Sequence, residues 1–434
     1  MRRLLIIGAF LALFTAGSAA GSHGHLRAFA RVCSTVTSTV VSTVYSTITQ
    51  TVTVTTGTTT TGTTTGTTTT APPPPPPPPP TCPTSLQAAY TAAGAGAVID
   101  ISGCSFNSSQ TITGSKTSVV TLQASAGSPA TVSGDITNSA NNLTLRGINA
   151  SGVLDLSEAN VNASNVVFDR MHGSNFLIGP SHDITLSNSD IGPQPNCGVE
   201  NTVGPDGNIP DAVPYNISLI GNYIHDQNGD NSVSGCHYGG LFLIAGHDFL
   251  IAGNKFERNV VYDIQIQNFT GIYGGAPSNL TIENNWFAGP VEWLPNDTQF
   301  DNQPNVQFDC RANACSYTNV LVRYNSFYDG VDFRFDGNNT LTNVRAVGNI
   351  GRGSNCSGAV YSYNVWGDGA CGSSDVVAQP SYVDGSIASP DYHLSGGLAV
   401  DLVPGLNPDQ QLATDIDGQA RPIGAGYDAG SDER

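Results

Sequence analysis

One phrase, said at least five times, constrains this chain more than anything else in it. SNLTIENNWF, residues 278–287, runs alternating apolar residues into a polar turn, an Asn and an aromatic. It returns as HDFLIAGNKF, TNVLVRYNSF, YNISLIGNYI and LTNVRAVGNI. The apolar residues that open the phrases are Leu143, Val166, Ile184, Ile217, Phe249, Leu280, Val320 and Val344, spaced 23, 18, 33, 32, 31, 40 and 24 apart. A rung of about 20–25 residues with occasional loop insertions accounts for both the short and the long gaps.

Each anchor opens a short strand of alternating apolar residues. The Asn that follows is expected at a turn, where its side chain can bond the backbone and tolerate left-handed dihedrals. Stacking the rungs would align Asn222, Asn254, Asn285, Asn325 and Asn349 in an internal ladder, each amide bonding the next. Helical periodicity is nearly absent. A β-sandwich, the main rival, would not require the same Asn at the same phase of every unit. The expected fold is therefore all-β, a right-handed parallel β-helix (a solenoid) over residues 82–434.

What precedes residue 82 is different in kind. Residues 1–20 carry a basic start (Arg2, Arg3), an apolar run from Leu4 to Phe14 and a small-residue end, Ser18-Ala19-Ala20. This is the pattern of an export signal, and the run is too short to cross a bilayer. Residues 21–81 hold a Ser/Thr/Val tetrad repeat, a Thr/Gly stretch and nine consecutive prolines, Pro72 to Pro80. A polyproline II run of that length extends roughly 28 Å at ~3.1 Å per residue, so the segment reads as a stalk. No other stretch is apolar enough to span a membrane, and the expected localisation is extracellular.

Charge and cysteine usage agree with export. Loss of residues 1–20 takes the formal charge from -18 to -20. So acidic a chain repels nucleic acid, and an anionic glycan would need local arginines or a bridging cation. Eight of the nine cysteines form sequence-near couples: Cys82 with Cys104, Cys197 with Cys236, Cys310 with Cys315, Cys356 with Cys371. Proximity alone chooses this pairing among 105 connectivities. Cys33 is left over in the stalk, free or available to join two chains, and the oligomeric state stays open.

From about residue 135 to 350 the rung phrase resembles the right-handed β-helix repeat proteins of secreted bacterial type, related in architecture to pectate lyases and polygalacturonases. The tail DIDGQARPIGAGYDAG, Asp415 to Gly430, is similar to the closing segment of such proteins, with its D-x-D-G-x-x-R-P and D-x-G elements. The resemblance implies a secreted protein that binds or cleaves extracellular polysaccharide. It transfers no catalytic residue. His172-Gly173 has no Arg-x-Lys after it, and Lys116 and Lys255 are the only lysines. The fold hosts several chemistries.

Each rung should also carry a second strand, found as GLFLI (240–244), YDIQIQN (262–268), NVQFD (305–309) and VDFRFD (331–336). Alternation sends Ile264, Ile266, Val306, Phe308, Val331, Phe333 and Phe335 inward. It sends Asp263, Gln265, Gln267, Asn305, Gln307, Asp309, Asp332, Arg334 and Asp336 outward, as an exposed polar patch. Insertions at 188–215, 226–239 and 288–304 would wall it, with Trp286 and Trp293 to stack on sugar rings and His237-Tyr238 to line the groove or merely cap the strand that follows.

Three functions stay open on these residues. In a glycoside hydrolase, two of Asp309, Asp332 and Asp336 would be acid and base, a diagonal pair lying roughly 8 Å apart, within the inverting range. In a polysaccharide lyase, Arg334 would be the base and neighbouring acids would hold Ca²⁺ through hard oxygens. In a non-catalytic adhesin the same face would only bind. HDQNGDN, residues 225–231, is reminiscent of a calcium loop but lacks the closing Glu, and reads as an inserted turn. Asp415, Asp417 and Asp428 read as turn and cap residues.

Overall fold

The computed structural model describes residues 81–157, 163–194, 201–204, 212–227, 239–268, 276–289, 304–310, 315–328, 333–336, 339–386 and 389–434. The expected export signal, the stalk to residue 80, the Cys197–Cys236 couple, Val331, Asp332, His237, Tyr238 and Trp293 lie outside these residues.

The described chain opens with one short helix, α1 (Leu86–Ala92), for which the repeat phrase gave no signal. Ser85 caps it by accepting from the Ala88 amide at 3.0 Å, as N-terminal hydroxyls do. Leu86, Ala89 and Tyr90 are buried. The Tyr90 hydroxyl donates to the Asn141 carbonyl at 2.7 Å, and the Gln110 side chain accepts from the Leu86 amide at 3.0 Å. The helix thus packs over the first rungs and shields an end where strands would otherwise lack partners.

From there the chain winds through three faces. The strand Ser278–Glu283 belongs to the first sheet, Trp286–Ala288 to the second and Val306–Cys310 to the third; Cys315–Arg323 then returns to the first. Among the described residues the three sheets have eleven, twelve and nine strands, each interior strand hydrogen-bonded to one neighbour on either side. Among the same residues every strand pairing within them is parallel, and the antiparallel pair Tyr382–Asp384 with Asp391–Leu394 lies outside the three sheets. This is a parallel β-helix. The eight anchors fall in one register line: Leu143↔Val166↔Ile184↔Ile217↔Phe249↔Leu280↔Val320↔Val344. All eight are buried, so the period read from the sequence is the period of the core.

Packing inside follows from that register, because equivalent side chains meet their counterparts one rung away. Phe256, Phe287 and Phe327 stack at 5.2 and 4.9 Å between ring centres. Phe308 stacks on Phe335 at 4.5 Å. Such offset pairs contribute about 0.5–1.5 kcal/mol beyond the apolar area they bury.

The asparagine ladder is present and longer than expected. Asn254 donates its Nδ2 to Asn285 Oδ1 at 3.0 Å and to the Leu219 carbonyl at 2.9 Å. Its backbone amide reaches the same Asn285 oxygen at 2.8 Å. The pattern repeats from Asn222 through Asn254, Asn285, Asn325 and Asn349 to Asn364. Ser189 abuts the ladder at one end by donating its amide to Asn222 Oδ1, and Asp375 closes the other by accepting from Asn364. One expectation is corrected: the left-handed residue is the one before each ladder Asn. Gly221 and Gly253 (both φ +65°), Asn284, Tyr324 and Gly348 take it. The ladder Asn is then turned so that its amide enters the core.

A second row, for which the repeat phrase gave no expectation, runs along the outside. Asn142, Asn165, Asp183, Asn216, Asp248, Asn279, Asn319 and Asn343 each precede an anchor, and all have φ between 51° and 61°. Their side chains bond one another along the outside, as Asn319 to Asn279 at 2.9 Å and Asn343 to Asn319 at 2.8 Å. Beside them His182, Tyr215 and His247 stack at 4.7 and 5.3 Å. Asn and Asp are the residues that tolerate this conformation best after glycine, so the signal stood one position ahead of every anchor.

Three of the expected disulfides form within the described residues: Cys82–Cys104, Cys310–Cys315 and Cys356–Cys371. Asp415 caps a turn, whereas Asp428 ties together more distant backbone. Asp415 Oδ1 accepts from the Asp417 and Gln419 amides at 3.0 and 2.7 Å. Asp428 accepts from the Asp401 and Arg434 amides at 2.6 and 2.8 Å. Ser431 docks this closing segment on the second sheet by donating to Ser326 Oγ.

Candidate functional site

The third sheet carries the polar row anticipated from alternation. Leu241↔Ile264↔Val306↔Phe333 and Leu243↔Ile266↔Phe308↔Phe335 fill the core. Between them run Phe242↔Gln265↔Gln307↔Arg334, and beyond them Gln267↔Asp309↔Asp336. Gln265 donates to Gln307 Oε1 at 2.7 Å and Gln267 to Asp309 Oδ2 at 3.3 Å.

Two expectations about this row are corrected. Gln265, Gln267, Gln307 and Asp309 are each less than a tenth exposed, and Arg334 is half-buried. Pointing away from the core is not the same as facing water, because the amides bond sideways to the next rung. The diagonal geometry also fails for one acid pair. Asp309 and Asp336 occupy the same register position on adjacent strands, so their backbones are ~4.8 Å apart.

Asp263 departs from alternation altogether. It is fully buried, and its carboxylate accepts from Asn259 Nδ2 at 3.1 Å, Asn305 Nδ2 at 2.9 Å and the Gly289 amide at 3.3 Å. Burial nevertheless pushes its pKa up to about 8. A carboxyl raised this way takes up a proton on folding. Its contribution is therefore complete below the unfolded value of ~3.9 and is lost as pH climbs to about 8, at up to ~1.4 kcal/mol per unit. Asp263→Asn is expected to flatten that slope. Urea midpoints at pH 5.0 and 7.5 read it, and equal slopes in both proteins would refute the assignment.

A charged network on the second sheet had not been anticipated. Asp190 sits between two imidazoles, with His172 Nδ1 at 3.2 Å and His225 Nε2 at 2.8 Å. The other nitrogen of His225 meets Asp226 at 2.6 Å. Arg258 grips Asp226 with two hydrogen bonds of 2.8 and 2.7 Å, and also reaches Glu257 and the Tyr223 hydroxyl. Those Arg258 bonds, with the neighbouring charges, pull Asp226 down to about 2 against the opposing effect of burial. Asp226 is thus engaged by a guanidinium, which counts against a calcium loop. Asp190, Tyr223, Lys255 and Trp286 each follow a ladder position (Ser189, Asn222, Asn254, Asn285), a phase the sequence would have yielded.

Trp286 was expected to offer a face to sugar. It is instead 3% exposed. The Lys255 ammonium lies 3.8 Å above its ring, and Tyr392 and His393 pack against it at 5.7 and 5.0 Å. The C-terminal segment has covered the platform.

A family model described as a right handed beta helix region matches residues 151–289. With three parallel sheets already traced, this fixes the hand. The chain folds as a right-handed parallel β-helix. Solved structures of similar winding include the pectate lyase Pel9A, at 13% identity and TM-score 0.45 over 81% of this chain and 91% of that one. The catalytic domain of a GH87 α-1,3-glucanase shares 15% at TM-score 0.32, over 73% and 70%. The PL6 family alginate lyase AlyGC shares 12% at TM-score 0.27, over 69% and 53%. No curated protein matches. Among the described residues of this β-helix protein, no helix is long and apolar enough to cross a membrane.

Proposed function

We propose that this is a secreted protein that cleaves extracellular polysaccharide by hydrolysis, with the third-sheet row as the floor of its site. The observation that carries the reading is the register that sets Asp309 opposite Asp336, with the Gln267 amide on Asp309 and the Gln265–Gln307 pair two residues along. Stacked amides and acids offer donors and acceptors at regular ~4.8 Å intervals along the solenoid axis, which suits a linear chain of hydroxyl groups. The formal charge of -20 after loss of residues 1–20 favours a neutral glycan over a uronate. Three disulfides suit an oxidising compartment.

Neutral and uronate polysaccharides should be incubated with the protein, with and without chelator. New reducing ends on a neutral substrate are expected, insensitive to chelator. Asp309→Asn should lower that rate by about 10²–10⁴-fold. Chelator-sensitive release of unsaturated product would replace the hydrolase with a lyase built on Arg334 and Ca²⁺. Binding without any cleavage would leave a glycan-binding adhesin.

A further inference from the structure

The closing segment gathers a second set of ionisable groups, away from the third sheet. His393 lies on the strand Asp391–Leu394, Asp417 in the turn after Asp415, and Asp432 near the C-terminal end. One donor atom from each of His393, Asp417 and Asp432 lies within 4.8 Å of the other two. His393 turns Nδ1 to the Asp391 carboxylate and Nε2 to Asp417. Asp432 is 5% exposed, and one of its oxygens accepts from the Leu394 amide at 2.7 Å.

A separate observation concerns Asp415. It is 2% exposed, and while Oδ1 caps two amides, Oδ2 is buried with no hydrogen-bond partner. A buried carboxylate oxygen without a donor is costly unless a cation serves it. Asp415 Oδ1 holds the Asp417 amide, which sets Asp415 directly behind that residue. The neighbouring cation, Arg421, feels the charge of Asp415 but commits its guanidinium hydrogen bonds to the Asp428 and Gly430 carbonyls, so it donates none to Asp415. Three aspartates therefore surround one imidazole, with Asp415 behind Asp417.

We propose that His393, Asp417 and Asp432 bind a divalent transition-metal ion, Zn²⁺ by preference, with Asp391 fixing the imidazole and Asp415 adding negative charge behind the site. Mixed imidazole and carboxylate donors suit Zn²⁺, whereas Ca²⁺ takes oxygens alone. A histidine whose second nitrogen is held by a carboxylate is the usual support of a metal-bound ring. The ion would join the 391–394 strand, the 415–417 turn and the C-terminus. It would fix the layer that covers Trp286.

The test uses the full chain stripped with chelator, then titrated calorimetrically with ZnCl₂, MnCl₂ or CaCl₂ alone. One Zn²⁺ per chain is expected, bound more tightly than Ca²⁺, with a rise in Tm and a change in Trp fluorescence. Asp417→Asn, at an exposed position, should abolish the stoichiometric event. Asp391→Asn should weaken it by about 10–100-fold. His247→Ala, on the exposed stack of the first sheet, should leave it intact. No heat and no Tm change with Zn²⁺ would overturn the proposal, as would tighter Ca²⁺ binding or affinity unchanged in Asp417→Asn. These outcomes do not depend on whether any polysaccharide is cleaved.

Discussion

Asn285→Ala is expected to destabilise the solenoid by about 3–5 kcal/mol, more than an ordinary polar-to-alanine change. The Asn285 side chain takes part in four hydrogen bonds. Its oxygen accepts from the Asn254 amide and from Asn254 Nδ2, and its nitrogen donates to the Ile251 carbonyl and to Asn325 Oδ1. Alanine would strip the Asn254 amide and the Ile251 carbonyl of their ladder partner in a site with no access to water, and would leave two other atoms under-bonded. Each buried orphan costs roughly 1–3 kcal/mol. Asn285→Asp, nearly identical in shape, should be at least as damaging at neutral pH. It keeps the acceptor but aims a second oxygen at two more acceptors. Equilibrium denaturation with both variants reads the effect, and a near-neutral Asn285→Asp substitution would mean that the amides are not arranged as described.

That ladder also shows why so much of the fold was legible. A solenoid repeats its constraints, so one rung's needs are written several times: an anchor for the core, an Asn for the turn, a small or left-handed residue between. Repetition makes a weak local signal strong. The Asn and Asp that precede each anchor repeat just as faithfully, one position before the apolar residue. The site was harder to read for a physical reason. Alternation tells which side of a strand a residue occupies, but not what lies over that side. Gln265, Gln267 and Asp309 fall on the predicted side yet are nearly buried, and Trp286 is covered by residues from far later in the chain. Asp263 failed for a related reason. It sits next to the tightly packed corner at Asn259 and Gly289, where bonding partners, not strand phase, decide direction.

Arg421→Met is expected to release the closing segment while leaving the rungs folded. The Arg421 side chain is wholly buried with that of Glu433, 3.7 Å away. It donates to the Asp428 and Gly430 carbonyls and covers the Tyr324 ring at 4.9 Å. Burial draws its pKa down and Glu433 opposes that. Methionine fills much of the volume but strands Glu433, whose two oxygens still hold the Ile423 and Asp428 amides. Removing one partner of a buried pair typically costs about 3–5 kcal/mol. In a stack where each unit touches only its neighbours, the loss should stay local. Hydrogen exchange should therefore accelerate at Ile423, Asp428, Gly430 and Ser431, while the amides of Asn222, Asn254 and Asn285 keep their protection. Uniform loss across both sets would mean that the solenoid unfolds as one body, with the closing segment holding the whole stack together.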